Sequence, residues 1–94
     1  VLLGYGDGSF QVPRQYPVGA HPVSIALGDM NNDTRLDAVV VNMWNYDVSL
    51  LLGYGNGSFQ SQRRYEPAYL PQSVVLGDFN NDSRLDLAVG GGMF

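Results

Sequence analysis

Three carboxylates and one amide fall within nine residues of the stretch LGDMNNDTRLD, at Asp29, Asn31, Asp33 and Asp37. The stretch returns as LGDFNNDSRLD, with Asp78, Asn80, Asp82 and Asp86. Carboxylates crowded into one loop repel one another unless something offsets them. A hard divalent cation does so directly. Calcium takes about six to eight oxygen ligands, and short loops supply them from alternate positions. Counted from Asp29, the amide and the acids hold positions one, three, five and nine, and the backbone carbonyl of Arg35 at position seven adds a further oxygen. The second loop offers the Arg84 carbonyl in the same place. Two calcium sites are expected. The plainer alternative is a pair of Asp/Asn-rich turns whose side chains bond their own backbone. Identical ligand positions in two copies favour the metal.

An EF-hand needs an acid at position twelve and flanking helices. Position twelve is Val40 in one copy and Val89 in the other, both inside apolar runs. A shorter loop joining two strands is what remains. Position six of calcium loops is usually Gly, because the chain turns sharply there. Here it is Thr34 and Ser83. Asn32 and Asn81 tolerate left-handed geometry, but a β-branched Thr resists it. A distorted loop or a weaker site is expected at Thr34.

The elements that position these loops follow from a repeat. LLGYGDGSFQ (Leu2 to Gln11) matches LLGYGNGSFQ (Leu51 to Gln60), and the acidic loops show the same offset of 49 residues. Arg14 falls on Arg63, Tyr16 on Tyr65, Pro22 on Pro71 and Ser24 on Ser73 without a gap. The chain reads as one repeat region over 1–94, with units of about 1–49 and 50–94. Strands are expected at Val23–Gly28, Leu36–Asn42, Asp47–Leu52 and Phe59–Tyr65, from short β-branched or apolar runs bounded by turn residues. Asp7-Gly8 and Asn56-Gly57 signal tight β-hairpins, because both residue types tolerate positive φ. No window has helical periodicity. Four short strands per unit is the arithmetic of a β-propeller blade, so the fold class is all-β, with about two four-stranded antiparallel blades.

Two blades leave open sides, for which the runs Ala38–Val41 and Leu50–Leu52 are candidates. The chain is therefore expected to be a piece of a larger propeller. Its nearest partners would be neighbouring blades of the same chain, or copies of itself.

Composition narrows the function. The 94 residues carry five Arg, no Lys and a net charge of −4, which argues against nucleic acid. Two divalent cations would cancel that charge. Cysteine is absent, which excludes disulfides, thiolate metal sites and a cysteine nucleophile. No apolar run approaches the roughly 20 residues that span a bilayer. GYGDGS lacks the third Gly of a dinucleotide loop and no helix follows. The single histidine, His21, reads as a surface loop residue and makes no convincing Ser/His/Asp set. A glycosidase-like carboxylate pair is open on residue type alone, but the loops give the carboxylates a better role. Tyr5, Tyr16, Trp44, Tyr46, Tyr54, Tyr65 and Tyr69 read mostly as packing between blades, with Trp44 and Tyr46 candidates for a ligand surface. Asn32, Asn56 and Asn81 each open an N-x-S/T sequon.

On these residues the chain resembles the FG-GAP/VCBS repeats, the blades of integrin α-subunit-like β-propellers. The family loop is D-x-[DN]-x-D-G-x-x-D, which LGDMNNDTRLDAVV and LGDFNNDSRLDLAV match apart from the Gly. LLGYGDGSF and LLGYGNGSF are similar to the hairpin that closes one repeat and opens the next. The resemblance implies calcium-binding propeller repeats acting as a non-catalytic recognition or adhesion module, extracellular or at the cell surface, with a protein or carbohydrate ligand. The alternatives are a propeller attached to a carbohydrate-active enzyme and a purely structural repeat.

Overall fold

The computed structural model describes residues 1–66 and 70–91. All of its elements are strands. β1 spans Pro22–Gly28, β2 Asp37–Asn42, β3 Asp47–Leu51, β4 Arg63–Tyr65, β5 Pro71–Gly77 and β6 Asp86–Gly91. The first four form an antiparallel sheet in the order β1-β2-β3-β4, and β5 pairs with β6 in a second. The described residues thus hold one complete four-stranded blade and the front half of another.

β2 is the centre of the molecule because its sequence, DAVVVN, offers an apolar side chain to both faces. Val39 and Val41 lie on one face with Val48 and the buried Val74 of β5, while Ala26, Met30, Leu76, Leu87 and Val89 pack around them. Ala38, Val40 and Leu51 lie on the other, covered by Tyr16, Val18 and Phe59. At about 25 cal/mol per Å² of apolar surface removed from water, these two layers are the main stabilising term. The expectation that Ala38–Val41 and Leu50–Leu52 form open sides is corrected here. Ala38 to Val41, Leu51 and Leu52 are buried and Leu50 is half-buried. A central strand has its faces covered within the chain, and the open side falls instead on β1, at Val23, Ile25 and Leu27.

The pairing register is regular from Ser24↔Val41 to Gly28↔Asp37, after a shift between Pro22 and Ser24. β5–β6 repeats it, from Ser73↔Gly90 to Gly77↔Asp86, with the shift in the same place. The fourth strand is shorter than Phe59–Tyr65. Phe59 makes only an isolated bridge to Gly53, and ladder pairing resumes at Arg63.

Both turns are the tight hairpins expected, each closing on an isolated antiparallel bridge, Gly4↔Phe10 and Gly53↔Phe59. Positive φ falls on Gly55 and Gly57, and on Gly6 and Gly8, rather than on Asn56 or Asp7. The Asn56 side chain accepts the N–H and hydroxyl of Ser58, at 3.0 and 2.5 Å. Asp7 accepts the same groups of Ser9, which hold its carboxyl below the ordinary value. These side chains cap the loop from inside, closed by Tyr54 N–H to the Ser58 carbonyl and Gln60 N–H to the Leu52 carbonyl.

Few of the tyrosines pack between blades. Tyr16 meets Phe59 edge-on at 5.4 Å. Tyr5, Trp44, Tyr46, Tyr54 and Tyr65 are exposed, and Tyr69 lies outside the described residues.

Candidate metal centre

Each acidic loop joins the first two strands of a blade, β1 to β2 and β5 to β6, with its last acid at the first residue of the following strand. The strands fix where the loop starts and ends. Its own side chains fix the path between, because Asp29 turns back on the chain. Its Oδ1 accepts the N–H of Asp33 at 3.1 Å and its Oδ2 the N–H of Thr34 at 2.7 Å. Asp33 accepts the N–H of Arg35 at 2.9 Å. Asp78 and Asp82 reproduce these bonds to Asp82, Ser83 and Arg84 at 3.1, 2.7 and 3.0 Å.

Thr34 adopts the left-handed conformation that its β-branch opposes, at φ 67°, and Ser83 has the same φ. Asn32 and Asn81 precede them at 59° and 61°. The two loops therefore share one conformation, and the loop is not distorted at Thr34. The N–H bond to Asp29 holds Thr34 in place, and its hydroxyl donates to the Asp33 carbonyl at 2.5 Å.

The folding-back brings the predicted ligands together. Asp29, Asp33 and Asp37 each offer a carboxylate oxygen within 4.8 Å of the others, and Asp78, Asp82 and Asp86 do the same. The Asn31 amide lies 3.2 Å from Asp29 Oδ1 and 3.0 Å from Asp33 Oδ1. Asn80 stands 3.1, 3.0 and 3.3 Å from Asp78, Asp82 and Asp86. With its nitrogen inward each amide donates to the acids, and with its oxygen inward it adds a fourth oxygen ligand. Arg35 and Arg84 enter through their backbone N–H groups. Burial pushes the carboxyls of Asp29 and Asp78 up, but the N–H donors of Thr34 and Asp33, and of Ser83 and Asp82, outweigh it and hold both below the ordinary value. Both stay ionised at neutral pH, as a cation ligand must. An all-oxygen, anionic donor set fits a hard cation and offers nothing soft to a thiophilic one.

The ninth-position acids do more than line the cluster. Asp37 is fully buried, and accepts Met30 N–H at 2.9 Å and Gly53 N–H at 2.8 Å. It ties the loop to the turn after β3. Asp86 accepts Phe79 N–H at 3.0 Å.

Two further clusters carried no local sequence signal. One is a buried polar chain: Asn42 donates to Asp47 at 3.0 Å and Ser49 at 2.8 Å, Ser49 donates to Gln62 at 2.6 Å, and Arg64 pairs with Asp47 at 2.7 Å. The other is an exposed stack. His21 lies parallel to Trp44 with centroids 4.5 Å apart, and Asn45 accepts Ala20 N–H beside it.

An antiparallel four-stranded blade packed on a second sheet, with an oxygen-rich loop between the first two strands of each, defines a propeller-type repeat module. The model of the FG-GAP-like repeat matches residues 29–89, well over half of the chain, and the chain belongs to that family. No curated protein and no solved structure matches it. No helix among the described residues is long and apolar enough to cross a membrane.

Proposed function

We propose that the chain is a calcium-stabilised propeller module that serves non-catalytic recognition or adhesion outside the cell. One observation carries the calcium: the same convergence of three carboxylates recurs in two loops 49 residues apart. In each site Asp29, Asn31, Asp33 and Asp37, or Asp78, Asn80, Asp82 and Asp86, are the side-chain ligands, and the Arg35 and Arg84 carbonyls are the backbone ones. Calcium would neutralise the mutual repulsion and lock the loop between its strands. The role is structural, and the ligand, protein or carbohydrate, is met elsewhere on the blade. Trp44 supports a recognition surface, because it is exposed and one face of its ring stacks on His21. A planar apolar ring held this way suits the face of a sugar or an aromatic side chain.

Calorimetric titration with calcium, paired with thermal melting in excess calcium and in chelator, tests the proposal. Two equivalents should bind. A ligand at about 100 times its Kd adds about 2.7 kcal/mol per site to folding. An unchanged midpoint would refute it.

A further inference from the structure

The surface that β5–β6 presents to the complete blade exists a second time, one repeat earlier, and there it is bare. Val74, Leu76, Leu87 and Val89 pack against Ala26, Met30, Val39 and Val41. Gly28 leaves room for this contact: a Cβ there would stand 2.8 Å from the Cδ1 atoms of both Leu76 and Leu85. The residues 49 positions before Val74, Leu76 and Leu85 are Ile25, Leu27 and Leu36. They are 63%, 58% and 61% exposed. The residues 49 positions after Ala26, Gly28 and Met30 are Val75, Gly77 and Phe79, and the two side chains are 60% and 61% exposed. The knobs stand free at one side of the molecule and the matching socket at the other.

The strand edges repeat the pattern. Residues 1–14 are bonded as residues 50–63 are. Val1 and Arg14 exchange backbone bonds of 2.8 and 2.9 Å, where Leu50 pairs with Arg63. Gln11 N–H reaches the Leu3 carbonyl at 2.7 Å, as Gln60 reaches Leu52 at 2.8 Å. This segment is the rear half of a blade, and β5–β6 is a front half. Asp86 records the missing junction. Asp37 accepts a second N–H from Gly53, and the counterpart of Gly53 is Gly4. Among the described residues no second backbone N–H reaches Asp86, and no acceptor meets the Gly4 N–H.

We infer that the chain assembles head to tail with a second copy of itself, and that each junction completes a blade from two molecules. β6 of one copy pairs with Val1–Leu3 of the next in the register of β2 with β3, which sets Leu87 opposite Leu2 and Ala88 opposite Val1. Ile25, Leu27 and Leu36 of that next copy then pack on Val75, Gly77 and Phe79, and its Gly4 N–H closes on Asp86. The interface is heterologous, so it closes into a ring or runs on as a fibre. Each copy supplies one whole blade and half of two others. Propellers of about four to eight blades correspond to rings of about two to four copies.

The test uses the whole 94-residue chain in light scattering at tens of micromolar, with calcium and with chelator, so that assembly is read separately from metal binding. The mass should be about two to four times the 10.3 kDa of one chain. Leu27→Asp removes the knob and Val75→Asp the socket, both at exposed positions. Each variant alone should be monomeric. A mixture should give a dimer, because one retains a working socket and the other a working knob. If either variant loses its β-sheet circular dichroism, Ile25→Asp and Phe79→Asp replace the pair. The register is read with Leu2→Cys and Leu87→Cys in one chain, which should cross-link between molecules on oxidation while neither single variant does so at the native junction. A monomeric parent chain, a mixture that stays monomeric, or variants that associate alone would each overturn the inference.

Discussion

The two acidic loops share one conformation and differ in what surrounds them. The backbone N–H bonds to the first and fifth acids and the left-handed residues are reproduced within 0.1 Å or a few degrees, for example 3.1 and 2.7 Å from Asp29 and again from Asp78. The first loop, however, opens a blade whose third strand is in place. Asp37 is therefore buried and twice bonded, while Asp86 is half-buried with one backbone donor. The conformation is local, written by Asp29 and Asp33 into their own turn. Burial of the last ligand is not local and comes from the neighbouring strand.

The comparison breaks most sharply at the ninth position. Asp37→Ala would leave the N–H groups of Met30 and Gly53 unpaired beside the core, and an orphaned buried donor costs about 1–3 kcal/mol. A loss of about 3 kcal/mol is expected in denaturant unfolding of the calcium-free chain, against about 1 kcal/mol or less for Asp86→Ala. Equal losses would mean that the burial difference has no energetic content. At the fifth position the loops should behave alike. Asp33→Ala and Asp82→Ala should each abolish one of two calcium equivalents in calorimetry, and the double variant should lose both, roughly additively because the sites share no ligand. Smaller still is the sixth position, where Thr34→Gly should raise stability by about 0.5–1 kcal/mol by relieving a β-branched left-handed residue. Ser83→Gly should gain less, which paired melts would show.

The smallest expected difference lies in acid. Asp29 and Asp78 have folded-state values lowered below 3.8. Their contribution is fully present above that unfolded value and is lost as pH falls through the lowered one. Carboxyl-resolved NMR titration should find both groups moving together below about pH 3.8, with nothing lost at pH 5. A loop that titrated at higher pH would show that its N–H donors do not hold in solution.

Most of the site was legible because its information is local. Alternate acids, an exact repeat and short β-branched runs place the loops between strands without reference to anything distant. The distortion expected at Thr34 is absent, because two hydrogen bonds impose a conformation that residue preference argues against. Asp7-Gly8 and Asn56-Gly57 mark the two hairpins, but they do not show that positive φ falls on the glycines alone, with the Asn56 side chain accepting from Ser58. Nor could the sequence say that Ala38–Val41 is covered, since its cover comes from Tyr16 and Val18 on one side and Val74 on the other. The Asn42 cluster joins residues from β2, β3 and the approach to β4, and the His21–Trp44 stack joins two loops, so neither leaves a pattern along the chain.

A repeated sequence carries a hazard in folding: near-identical strands compete for the same neighbour. Leu51 to Gln60 and Leu2 to Gln11 differ only at Asn56 and Asp7, so the shared segment cannot distinguish β2 from β6 as its mate. The buried polar chain can. β2 ends in Asn42, which reaches Asp47 and Ser49, while β6 carries Gly91 at the same position. A mispairing of β3 with β6 would take the Asn42 amide from Asp47 and Ser49, leaving them only Arg64 and Gln62, and no apolar contact restores a lost buried hydrogen bond. The polar residues in the most buried strand pair thus act as an address label, sorting one repeat from its copy while the chain folds.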